Sequence, residues 1–118
     1  MRVDGYFNAS DEPAINLTLD STSIEALIDT GFLGSLIVPR HLASDLELRF
    51  EGFEKFHTVT GQVFVAPAYT LEANWLGRRL RLPIAISTDV HEALLGSQLL
   101  KNCVLTIDYA NRSVSIVR

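Results

Sequence analysis

A chain of 118 residues, 47% apolar and 20% charged, is long enough to bury a sizeable core and has the make-up of an ordinary soluble globular protein. Its formal charge of −4 and pI near 5.2 exclude the broad basic face that a nucleic-acid surface needs. A single cysteine, Cys103, excludes an internal disulfide framework and reads, within its apolar run, as a small buried hydrophobe.

Residues 2–7 are expected as a first strand, followed by a polar turn from Asn8 to Pro13. Ile15, Leu17 and Leu19 alternate with Asn16, Thr18 and Asp20, the period of a half-buried strand. Ser21-Thr22-Ser23 reads as the turn back, and Ile24 to Ile28 as a more continuously apolar strand that runs into Asp29. Ser35 to Val38 is another short strand. Pro39 is placed to open a short helix with Leu42 and Leu46 on one face.

Arg49 to Val59 is expected to be extended, and Thr60-Gly61 falls between the runs Phe56–Val59 and Gln62–Ala66 as a hairpin tip. Pro67 demands an edge or a bulge at its position, because proline has no backbone donor for a ladder. Tyr69 to Trp75, a turn at Leu76-Gly77 and a return from Arg78 to Ile86 follow; Arg78, Arg79 and Arg81, interleaved with Leu80 and Leu82, read as the solvated face of that strand. Thr88 to Glu92 is a polar loop. After Leu94-Leu95-Gly96, Ser97 to Lys101 makes one or two helical turns with Ser97 as the expected N-cap. Val104 to Tyr109 and Ser113 to Val117 close the chain as strands around Ala110-Asn111-Arg112. The sum is a mostly β chain with two brief helices, expected to form a single domain over residues 1–118.

The opening Met1-Arg2-Val3-Asp4 is no charged region leading into an apolar signal core, and no apolar run approaches a bilayer span. The expectation is a cytoplasmic protein with no membrane or nucleic-acid partner.

The stretch with most chemistry in it is Ala26-Leu27-Ile28-Asp29-Thr30-Gly31. An apolar strand delivers one carboxylate to its end, where lost hydration is costly. Gly31 permits a tight turn there, and Thr30 adds a hydroxyl able to hold neighbouring backbone. The plainer alternative is a turn in which Asp29 accepts local backbone N–H bonds. Other chemistries lack their residues. His41, His57 and His91 are far apart, with no His-Glu-x-x-His spacing for zinc. Gly96-Ser97-Gln98 lacks the second glycine of a nucleophile elbow, and no glycine-rich phosphate loop is present.

Taken together, three features in this order resemble the retropepsin-like aspartic proteases over nearly the full length. They are Asp29-Thr30-Gly31 at a strand end, the glycine-tipped Val59-Thr60-Gly61-Gln62, and Ala93-Leu94-Leu95-Gly96 leading into Ser97-Gln98-Leu99-Leu100. The longer run Asp29-Thr30-Gly31-Phe32-Leu33-Gly34 departs from the commoner pattern, in which a small residue follows the glycine. It is similar instead to a microbial subgroup of small predicted aspartyl proteases with Asp-Thr-Gly-Phe-x-Gly, and it sets a bulky Phe32 beside the substrate cleft.

The resemblance implies an all-β acid-protease barrel with a flap hairpin and one or two short helices. It implies an aspartic endopeptidase that uses no metal or cofactor and activates a water between two aspartates. Because only one Asp-Thr-Gly is present, the second carboxylate must come from another copy, so a homodimer acting on peptide or protein substrates is expected. Asp29, Thr30 and Gly31 would form the catalytic loop; Val59, Thr60, Gly61 and Gln62 would form the flap over substrate. The competing reading is a peptide-binding or regulatory module on the same fold, catalytically weak or inactive.

Overall fold

The computed structural model describes residues 1–118. β1 (Arg2–Phe7), β2 (Pro13–Leu19) and β3 (Thr22–Ile28) pair antiparallel in succession. The period-2 pattern of β2 buries Ile15, Leu17 and Leu19 and leaves Asn16 and Thr18 in solvent. The turn into β3 is tighter than the Ser21–Ser23 expectation. Asp20 takes the left-handed conformation (φ 54°), and Thr22 is already paired with Leu19.

β4 (Leu36–Pro39) leads into a single helical turn, α1 (Arg40–Ala43). Pro39 is the last residue of the strand, not the first of the helix: its ψ of 151° is extended and it pairs with Ser87. β5 (Arg49–His57) and β6 (Val63–Trp75) make a long hairpin, and the two runs read on either side of Pro67 are one continuous strand. Pro67 survives there because β6 has a neighbour on one side only at that point. Its ladder to β7 (Arg78–Ser87) begins at Ala68. Opposite, β5 carries a bulge: Phe50 faces Tyr69 and Gly52 faces Ala68, leaving Glu51 as the extra residue. Leu76 and Gly77 turn β6 into β7 with φ of 47° and 81°, and the arginines of β7 face solvent, Arg79 pairing with Asp20 at 3.0 Å.

β8 (Ala93–Leu95), a 3-10 turn at Ser97–Leu100, β9 (Val104–Asp108) and β10 (Ser113–Val117) complete the chain. Gly96, not Ser97, occupies the N-cap position, and no side chain caps this turn. None is needed, because Ser97 and Gln98 donate their N–H groups to the carbonyls of Phe32 and Gly34 at 2.8 and 3.1 Å. Trp75 Nε1 donates to the Leu99 carbonyl at 3.0 Å and pins the turn to β6. Cys103 packs against the core but is only half-buried.

The strands run in the order β5-β6-β7-β4-β8-β3-β2-β1-β10-β9. The all-β expectation holds, but the sheet is not closed into the expected barrel. Closure would require β5 and β9 to exchange backbone hydrogen bonds, and each pairs on one side only. No helix is long and apolar enough to cross a membrane.

What positions the site is the middle of this order. The three-residue β8 is wedged between β3 and β4, parallel to the first and antiparallel to the second. Ala26, Ala93 and Leu95 are fully buried there, and Leu36 and Val38 nearly or fully so. β4 is buried on both faces, which is why Leu36 to Val38 reads as a continuous apolar run, whereas β3 keeps Ser23 and Glu25 in solvent and is apolar without a break only from Ala26 to Ile28. Because β3 and β8 are parallel, with Ile28 opposite Leu95, both chains emerge at the same end of the sheet.

Candidate active site

Asp29 is the first residue beyond β3 and is half-buried. Its N–H continues the parallel ladder by donating to the Leu95 carbonyl at 2.9 Å. Its own carbonyl accepts the Phe32 N–H at 3.1 Å, which closes a four-residue turn over Thr30 and Gly31. Within that turn the Gly31 N–H donates to Asp29 Oδ1 at 3.0 Å, leaving the other carboxylate oxygen free. A Cβ on Gly31 would lie 3.3 Å from that Oδ1, tight enough to push on the carboxylate, so glycine suits the position by close approach. Thr30 is exposed and its hydroxyl has no partner inside the chain.

A second turn locks the first. Gly96 N–H donates to the Ser35 carbonyl at 2.8 Å, and Ser35 Oγ donates to Gln98 Oε1 at 3.1 Å. The Phe32 ring lies over Gly34 and Gly96 and packs against Phe56 with ring centroids 5.6 Å apart. Phe56 in turn stacks on Phe64, and with Ile37, Ala66 and Ala85 these rings form a small core of their own beneath the β5–β6 hairpin. Phe32 therefore ties the Asp29 turn to the base of that hairpin.

At the hairpin tip the Thr58 N–H donates to the Gln62 carbonyl at 2.9 Å, and the Gly61 N–H donates to the Thr58 carbonyl at 3.0 Å. Gly61 has φ 85°, a conformation that favours glycine. The Thr58 and Thr60 hydroxyls are 2.9 Å apart. Val59, 91% exposed, reaches back over the Asp29 turn, its Cγ1 standing 3.8 Å from where a Gly31 Cβ would be.

Between turn and tip lies a mostly apolar groove of about 790 Å³. It brings together Asp29 and Gly31 with Val59 and Gln62, four of the residues singled out in the sequence. Thr30, Thr60 and Gly61 are not among those that line it. Its apolar walls include Phe32, Ile37, Phe56 and Leu94; His57, Asp89 and Val90 line it too and had no signal in the sequence, where Thr88 to Glu92 was only a polar loop. No three His, Cys, Asp or Glu side chains converge to hold a metal ion. A carboxylate with one free oxygen at the edge of an apolar groove can accept a proton from a water bound beside it. One such group cannot also act as the acid, and one chain supplies one Asp29 turn.

No protein-family model matches the sequence, and no curated protein matches it. Among solved structures, the fold is similar to that of a retropepsin-like aspartic protease from Rickettsia conorii, with 19% identity and a TM-score of 0.68 over 98% of this chain and 90% of that one. The EIAV protease, solved with an inhibitor, is similar at 17% identity and a TM-score of 0.51, over 81% of this chain and 91% of its own. The foamy viral protease-reverse transcriptase, solved with an RNA/DNA hybrid, matches 75% of this chain and 11% of its own length, at 15% identity and a TM-score of 0.52. At these identities the likeness is one of fold.

Proposed function

We propose that this chain, which has a retropepsin-like fold, is an aspartic endopeptidase that works as a homodimer. The observation behind the proposal is the setting of Asp29: a half-buried carboxylate with one oxygen held by the Gly31 N–H, facing a groove roofed by Val59 and Gln62. A two-fold axis beside this turn brings two such carboxylates together, and like charges that close share one proton. Asp29 of one copy takes a proton from the trapped water as its oxygen bonds to the peptide carbonyl carbon. Asp29 of the partner subunit gives its proton to the carbonyl oxygen. Collapse of the tetrahedral adduct passes a proton to the amide nitrogen and breaks the C–N bond. The exposed, unpartnered Thr30 hydroxyl is free to bond across the axis, and the hairpin tip closes over an extended peptide and excludes water.

Replacing Asp29 by Asn keeps the shape of the turn and removes the proton carrier. Asp29→Asn is expected to abolish cleavage of a peptide library at acid pH while solution mass still reports a dimer. Undiminished turnover in that variant would refute the proposal. The second reading, a peptide-binding module without turnover, draws on the bulky Phe32, which lines the groove beside Asp29. A stable monomer that binds peptides and cuts none would establish it.

A further inference from the structure

We propose that Asp89 selects substrates, favouring peptides with a lysine or arginine among large apolar residues; this rests on the peptidase reading of the same groove. Asp89 lies in the loop between β7 and β8, two residues beyond the last residue of β7. The loop is held at both sides of it. The Asp89 N–H donates to the Oγ of Ser87 at 3.0 Å, and Ser87 is buried and paired with Pro39 of β4. Val90, next along, packs against the Ile37–Phe56 cluster. Between these anchors Asp89 is exposed and lines the same groove as Asp29.

Its carboxylate has no hydrogen-bond or ion-pair partner: the four ion pairs of the chain are made by other acids. No lysine or arginine lines the groove, and His57 is its only other titratable group besides Asp29. A mostly apolar channel with an unpaired carboxylate on an anchored loop, away from the reacting carboxylate, suits a side chain with an aliphatic stem and a cationic head. Lysine and arginine have that form. On each copy's side of the groove an acidic peptide meets Asp89 beside the reacting carboxylate and no lysine or arginine, so repulsion sharpens the choice. The sequence hides this because Asp89 reaches the groove only through the β4–β7 pairing, which joins residues about 50 positions apart.

The test is an apolar peptide library in which one position at a time is lysine, norleucine or glutamate, read as the ratio of kcat/KM for lysine over norleucine within each protein. Reduced-amide versions of the same peptides, which have no hydrolysable bond, give the ratio in binding alone. Wild type is expected to favour lysine about two- to fivefold at one position on each side of the cut, since each copy carries an Asp89, the range of an exposed, partly screened charge pair. Asp89→Asn brings that ratio near one, and Asp89→Lys turns the preference toward glutamate. Glu47→Gln, an exposed acid outside the groove, keeps the wild-type ratio. An equal loss of preference in Glu47→Gln would assign it to the net charge of the chain and overturn the proposal, as would an unchanged ratio in Asp89→Asn. A wild type that binds the lysine analogues with this preference but cleaves nothing would sink the peptidase reading alone. Failure to bind any analogue would overturn both.

Discussion

A Cβ on Gly96 would lie 2.2 Å from the Gly34 carbonyl oxygen, 2.5 Å from Phe32 Cδ2 and 2.6 Å from the Phe32 carbonyl oxygen. Two of these neighbours are backbone that cannot swing aside, so the bulk of Phe32 and the bareness of Gly96 form one fit. Gly96→Ala is expected to cost about 1–3 kcal/mol in a urea melt by overpacking this junction. Gly34→Ala meets only the Phe32 ring at 2.5 Å, which can tilt away, so it should cost less. A different residue-scale signature comes from Tyr6, whose hydroxyl donates to the Glu25 carboxylate and stands 3.1 Å from Asn16 Oδ1. Burial first, then the hydrogen bond to Glu25 and its charge, push this hydroxyl up from 10.0 to about 12. The proton is thus held more tightly in the folded chain, and the stabilisation is full below pH 10.0 and lost as pH climbs toward about 12. Melting temperature against pH should show wild type losing its margin over Tyr6→Phe across that window.

At the scale of elements, the hairpin tip is held by few bonds while its base sits on the Phe32–Phe56–Phe64 stack. Gly61 has open space around it, so an added methyl would clash with nothing, and the cost of Gly61→Ala comes from φ 85° alone. That strain, about 1–2 kcal/mol, falls on the tip. Faster amide exchange over residues 58–62 and a lower kcat/KM, with the melting temperature shifted by only a few degrees, are expected. The same elements show what a sequence can carry. The β2 alternation, Gly61 and the Leu76-Gly77 turn are local signals, and each is where it was expected. The left-handed Asp20 and the continuity of β6 through Pro67 carry no such signal: the Leu19–Thr22 pairing sets where the β2–β3 hairpin turns, and the pairing of Pro67 with Phe53 on β5 alone lets β6 run on through a proline. The cap of the 3-10 turn was misread for a related reason: its N–H groups are met by Phe32 and Gly34, more than 60 residues away along the chain. Asp29 announces itself through its neighbours; of the five separate segments that assemble the groove it faces, only the Asp29 turn and the glycine-tipped hairpin have a local trace.

At the scale of the whole molecule, the proposal needs two chains for one reaction. Mixing wild type with a threefold excess of Asp29→Asn should then lower turnover per wild-type chain to about a quarter, because random pairing leaves few dimers with both carboxylates. Turnover unaffected by the mixture, at a concentration where the mass is that of a dimer, would mean each chain acts alone. The sheet itself ends in two free borders, β5 and β9. On the β5 side, Phe53, Val63 and Val65 are exposed, a row of apolar side chains beside unpaired backbone groups. Such a border invites neighbouring chains to zip onto it and grow into fibres. Glu51, the residue with no opposite number, is tethered by its side chain to Thr70 and stands 3.7 Å from Arg49 Nε, so the kink it forces sits early in the strand and is fixed there. A single surplus acid thereby gives a crowded solution of this protein its own guard against templated stacking.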